Sequence, residues 1–115
     1  MMSKYMVLYY TPIQPKELMA NANTEDMQAS IDEWNNWKDN VSKSVKVEFG
    51  LPLQIIGHIT LEGSSESNSQ VVGYAIVKGD SKDEIMEILQ THPVLKRPDA
   101  SIDLFEMISM PGIDA

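Results

Sequence analysis

Residues 4–10 open with an apolar run, Tyr5, Met6, Val7, Leu8, Tyr9 and Tyr10, closed by Thr11 and Pro12. A run of that length bounded by turn residues predicts a first strand. Residues 11–23 carry Pro12, Pro15, Asn21 and Asn23 and are expected to be mostly loop. From Thr24 the pattern turns helical. Met27, Ile31, Trp34, Val41 and Val45 recur at spacings of three, four or seven, which gathers them near one face of a 3.6-residue repeat. That face is expected to pack on a sheet, with Trp34 in the buried stripe and Trp37 at its margin. Thr24 or Asn23 can cap the helix start, Glu25 and Asp26 suit its positive end, and Lys38 and Lys43 lie nearer its C-terminus.

Residues 45–49, Val-Lys-Val-Glu-Phe, fit either an edge strand or a fraying helix end, and Gly50 and Pro52 break whichever forms. Residues 53–61 alternate, with Ile55, Gly57, Ile59 and Leu61 on one side and Gln54, Ile56, His58 and Thr60 on the other, which predicts the second strand. The polar stretch 62–69, EGSSESNS, reads as the turn returning the chain antiparallel into a third strand over residues 70–78. Ser81, followed three residues later by Glu84, forms a capping box for a second helix, with Ile85, Ile88 and Leu89 as its buried stripe, Met86 to one side and Pro93 as its stop. Residues 101–109 return as a last strand around Ile102, Leu104, Phe105, Met107 and Ile108, before a Pro-Gly tail.

The order is strand, helix, strand, strand, helix, strand, which predicts an α+β chain of the ferredoxin-like βαββαβ type, with two helices on one face of an antiparallel sheet and a single domain over residues 1–115. The first and third strands are apolar on both faces, so a second layer is required on the side away from the helices. A second copy of the same sheet is the simplest cover, and a homodimer with a radius of gyration near ~17 Å rather than ~13 Å is expected.

Composition narrows the functional classes. The 115 residues carry a formal charge of −8, contain no cysteine, and hold Arg97 as the single arginine among dispersed lysines. Phosphate-backbone binding needs a basic stripe, so nucleic acid is excluded as an expected partner, and anionic membranes are disfavoured. The absence of cysteine removes disulfides, thiolate metal sites and thiol nucleophiles. It also allows a reducing, cytoplasmic setting, which is the one expected, and the N-terminal run is far too short for a membrane span and reads as structure. No GxxxxGK[ST], GxGxxG or HExxH pattern occurs, and Asp80, Asp83, Glu84 and Glu87 lack the oxygen-ligand spacing of a calcium loop, so neither cofactor nor metal is expected.

Among chemistry-bearing residues, His58 stands out. Alternation places it beside Ile56 and Thr60, and if that face meets the second copy it enters the cleft between sheets as a general acid or base. A solvated or interface histidine is the plainer alternative. Asp103 shares a strand face with Phe105 and Met107 and would orient a histidine if the sheet joined them; an exposed edge carboxylate is the ordinary reading. A small, mostly apolar ligand is expected in a cleft lined by strand aromatics such as Tyr9 and Tyr74 with His58 as its polar handle, since apolar strand faces interrupted by one titratable group are how small-molecule pockets are often built. Trp34 and Trp37 on the first helix could wall a hydrophobic pocket, although aromatics at helical spacing usually serve a core. The alternative to ligand binding is a non-catalytic dimeric interaction module with a closely packed interface.

KYMVLYY at 4–10, Trp34, GLPL at 50–53, GYAIVKGDSKDE at 73–84, HPVL at 92–95 and SIDLFEM at 101–107 together resemble the YCII-related family, including its DGPF-type members. The resemblance spans nearly the whole chain and implies a small dimeric α+β barrel. Most members of that family lack an established activity; a few are linked to dehalogenation-type or other small-molecule chemistry, with His and Asp side chains proposed in the cleft. The resemblance therefore adds His92 to His58 and Asp103 as a candidate, although its place before Pro93 also suits a helix C-terminus. The chain departs from the family pattern in carrying only EGSSESNSQVV where DGPF-type relatives have a longer motif-bearing segment, and Phe105 where relatives often carry arginine.

Overall fold

The computed structural model describes residues 2–113; Met1, Asp114 and Ala115, which belong to the single-domain reading and its tail, lie outside the described residues. In chain order run β1 (Ser3–Tyr10), α1 (Pro15–Asn21), α2 (Thr24–Val41), β2 (Lys46–Phe49), β3 (His58–Thr60), β4 (Gly63–Ser65), β5 (Val71–Gly79), α3 (Lys82–Leu89), a 3-10 turn (Pro93–Lys96) and β6 (Ser101–Glu106). The protein is α+β, with a four-stranded antiparallel sheet in the order β2-β5-β1-β6 and a separate β3-β4 hairpin.

The two central strands alternate as a half-covered sheet must. Tyr5, Val7 and Tyr9 of β1 and Ala75 and Val77 of β5 are buried, whereas the residues between them are half-buried. Trp37 of α2 and Ile85 and Leu89 of α3 close over that face and, with Val45, Val47 and Val94, complete one core. Helix starts follow local chemistry. Asn23 caps α2 by accepting the Asp26 N–H at 2.7 Å, and Ser81 caps α3 by accepting the Glu84 N–H at 3.3 Å.

Five expectations are corrected. Residues 11–23 are not mostly loop, because Pro15 occupies the first turn of α1, where its missing N–H costs nothing. The strand pairing with β5 is Lys46–Phe49, not residues 53–61. Beyond it the chain still hugs the β5 edge, with the Gly50 and Leu53 amides donating to Tyr74 and Val72 carbonyls at 2.9 Å, but Pro52 has no N–H for a regular ladder. Residues 58–60 then pair locally with 63–65, where Gly63 takes φ +132°, so the first half of stretch 62–69 is the return strand of a hairpin and only its second half leads into β5. Finally, Trp37 is the buried tryptophan and Trp34 only half-buried, while Met27 and Ile31 are exposed. The stripe that packs is Trp34, Trp37 and Val41; the N-terminal end of the expected stripe overhangs open space. β6 also ends at Glu106 rather than 109, since β1 runs out of partners once Met107 has donated to the Lys4 carbonyl.

The other sheet face carries Leu8 opposite both Tyr74 and Asp103, and Met6 opposite both Ile76 and Phe105. All the core side chains lie on the opposite side. The result is a plate of 43 × 41 × 21 Å with a radius of gyration of 15.9 Å, larger than the ~13 Å of a compact chain of this length. The single chain thus already approaches the size expected of a dimer, and radius of gyration does not separate the two states.

Candidate functional site

β1 and β5 lose register between Tyr9 and Tyr10, where Val72 is the extra residue of a bulge. Bulges bend strands and re-aim side chains, and this one lies at the end of the sheet beside α1 and α2. A cavity of about 510 Å³ occupies that space, walled by Leu18 and Met19 of α1, Ile31 and Trp34 of α2, and Val72 and Tyr9 of the sheet. Tyr74 and Gly50 also line it. A Cβ on Gly50 would overlap the Tyr74 ring, so glycine lets the aromatic lie across the β2 exit.

Tyr9 is held by His92. The proline at 93 keeps His92 extended, at φ −64° and ψ 135°, and the imidazole turns into the core, where it is 2 % exposed. Its Nδ1 accepts the Val94 N–H at 3.0 Å, capping the 3-10 turn, and its Nε2 lies 3.0 Å from the Tyr9 hydroxyl. With Nδ1 accepting, the ring proton of a neutral imidazole resides on Nε2 and is donated to Tyr9 Oη. The Tyr9 O–H is then left with a hydrogen to give, and among the described residues none accepts it.

Four aromatic rings box the imidazole: Trp37 at 4.4 Å between centroids, Trp34 edge-on at 4.5 Å, Tyr9 at 5.0 Å and Phe49 at 6.4 Å. Burial in this box lowers the His92 pKa from 6.5 to about 4, and burial raises that of Tyr9. Both groups are neutral near pH 7. His92 therefore has no free lone pair with which to take a proton, and its work at the site is to orient Tyr9 and to make its O–H a stronger donor.

At the cavity mouth Lys96 pairs with Glu33, while the Arg97 Nε stands 3.8 Å from Asp99, too far for a hydrogen bond. Both cations line the cavity. Leu18 and Met19 were not among the candidates, and Arg97 had stood out only as the single arginine of the sequence. The signal for the first two was present in Pro15 at a helix start followed by an apolar pair.

The named candidates separate. Tyr9 and Tyr74 line the cavity, and His92 touches Tyr9. His92 is not an exposed imidazolium at the α3 end, because it is buried and caps the next turn. His58 lies exposed on the β3-β4 hairpin, outside the four-stranded sheet, so the strand alternation that would have aimed it into a cleft does not apply. Asp103 is exposed on the open sheet face, where its hydrogen bond raises the Tyr10 pKa, and it orients no histidine among the described residues. Among the described residues no group of three or more His, Asp or Glu could hold a metal ion, and no helix is long and apolar enough to cross a membrane. No protein-family model matches the chain, and no curated protein is similar to it in sequence.

Proposed function

We propose that the protein binds a small, mostly apolar molecule in the cavity beside the Tyr9 end of the sheet. The observation that carries this reading is a preformed, mostly apolar hollow of about 510 Å³ whose lining includes Tyr9, held in place by His92. Small-molecule sites have that size and that ratio of greasy wall to polar anchor. The neutral, doubly hydrogen-bonded His92 favours binding over histidine-assisted turnover. Titration calorimetry with 1-naphthamide, a neutral ring of suitable size, tests the site. The variant Ile31→Asp should weaken binding at least tenfold and leave stability within about 0.5 kcal/mol, since Ile31 is 53 % exposed. Unchanged affinity in that variant would place the ligand elsewhere.

The strand order supports a ferredoxin-like arrangement with α1 and the hairpin as additions, since β6 lies beside β1 and β2 beside β5. The outer face, with Met6, Leu8, Tyr74, Ile76 and Phe105, supports a second copy packed sheet to sheet, as the YCII resemblance implies. Light scattering should return twice the chain mass at micromolar concentration, and Phe105→Lys should halve it. A single-chain mass for the unaltered protein throughout dilution would remove the dimer. A second reading, a non-catalytic interaction module, draws on Ile56, Ile59 and Leu61, which stand almost wholly exposed on and beside the hairpin.

A further inference from the structure

The rim of the cavity indicates which apolar molecules it suits, and the inference rests on the binding site proposed above. The chain carries a net charge of −8, so its overall field repels anions. Yet the mouth combines Lys96 with Arg97, the single arginine of the sequence, against Glu33 alone. Glu33 is already neutralised by Lys96. Arg97 is different. Its side chain is 36 % exposed, and its ion pair with Asp99 is loose, 3.8 Å from Nε to the carboxylate. Among the described residues none accepts a hydrogen bond from its guanidinium, whose planar fork of donors matches a carboxylate in bidentate geometry. Arg97 stays at the mouth because its backbone N–H donates to the Val94 carbonyl at 3.2 Å, closing the 3-10 turn that His92 opens. One short turn thus fixes both polar features of the site, Tyr9 through His92 and the cation through Arg97.

We infer that the ligand is an organic carboxylate with an apolar, ring-sized body: the body lies against Trp34, Ile31 and Val72, the carboxylate meets Arg97 at the mouth, and a second acceptor atom, where the ligand has one, takes the Tyr9 O–H. A cation is disfavoured by the same arginine, and a wholly neutral hydrocarbon leaves both donors unused.

The test compares 1-naphthoate with 1-naphthamide, which share shape and differ in charge, by titration calorimetry on the full chain at low ionic strength. Naphthoate should bind about tenfold more tightly than naphthamide. In Arg97→Gln the preference for naphthoate over naphthamide should vanish. Lys43→Gln, which removes an exposed positive charge that does not line the cavity, should keep the preference and so separates a contact at the mouth from the overall field. Equal affinities, a preference for the amide, or a preference that survives Arg97→Gln would overturn the carboxylate assignment. In those cases amide binding that is sensitive to Ile31→Asp would leave the cavity reading standing, whereas failure of both compounds to bind would overturn the two together.

Discussion

Replacing Trp37 by alanine is expected to cost about 3 to 5 kcal/mol of unfolding free energy, the range for removing a buried aromatic side chain. Trp37 is 7 % exposed, and its ring packs on His92 at 4.4 Å and on Phe49 at 6.4 Å. Its indole N–H donates to Thr91 Oγ1 at 2.8 Å, and that hydroxyl donates onward to the Ile88 carbonyl at 2.7 Å, so the side chain ties α2 to the end of α3. Truncation leaves a cavity, an exposed imidazole and a hydroxyl without its donor. Trp37→Phe keeps most of the packing and loses the hydrogen bond, at about 1 kcal/mol. Trp34→Ala should cost less than Trp37→Ala, because Trp34 is half-buried and one side of it already faces the open cavity. Urea denaturation followed by far-ultraviolet circular dichroism measures all three without depending on tryptophan emission. A loss for Trp34→Ala equal to or above that for Trp37→Ala would contradict this account of the core.

That inversion of the two tryptophans shows where sequence reading loses its hold. Spacing placed Ile31, Trp34 and Val41 on one face, and they do share one, but periodicity cannot tell a face packed on protein from a face turned to a void. Part of the apolar stripe of α2 lines the cavity instead of the core. Chemistry confined to a few neighbouring residues was legible: the Asn23 and Ser81 caps and the β1 and β5 alternation depend on nothing distant. Pairing was not. The alternation of residues 53–61 is real, yet nothing in it states whether the partner is β5 or the adjacent serine-rich stretch, and Pro52 together with a positive-φ Gly63 decides for the local hairpin. The site divides in the same way. Tyr9 and Tyr74 could be named from apolar strand faces, whereas His92 required knowing that the backbone before Pro93 turns its ring inward onto a tyrosine 83 residues away. Arg97 carries no pattern at all; its position depends on the turn that His92 caps.

The same buried imidazole makes stability depend on acid, and the sign follows from which state binds the proton. An unfolded histidine titrates near 6.5, whereas burial lowers His92 in the folded chain to about 4. Between those values the unfolded chain holds a proton that the folded chain excludes, so stability rises with pH across the window. The contribution is fully present above pH 6.5 and is lost as pH falls toward 4, amounting to about 3 kcal/mol at roughly 1.4 kcal/mol per pH unit. The cause is burial: Tyr9, Trp34, Trp37 and Phe49 surround the ring. A proton on Nδ1 would also confront the Val94 N–H that this atom now accepts. Protonation must therefore open the box and release both the 3-10 turn and Tyr9, so ligand affinity should fall over the acid end of the same range. His58→Gln leaves His92 as the remaining imidazole, and a proton NMR titration of that variant should then give a midpoint near 4, alongside a stability curve that falls from pH 6.5 downward. A midpoint near 6.5, or a His92→Gln variant whose stability falls across this window as steeply as that of the unaltered chain, would show that the ring is not held neutral by its box and that the Tyr9 hydrogen is not free for a ligand.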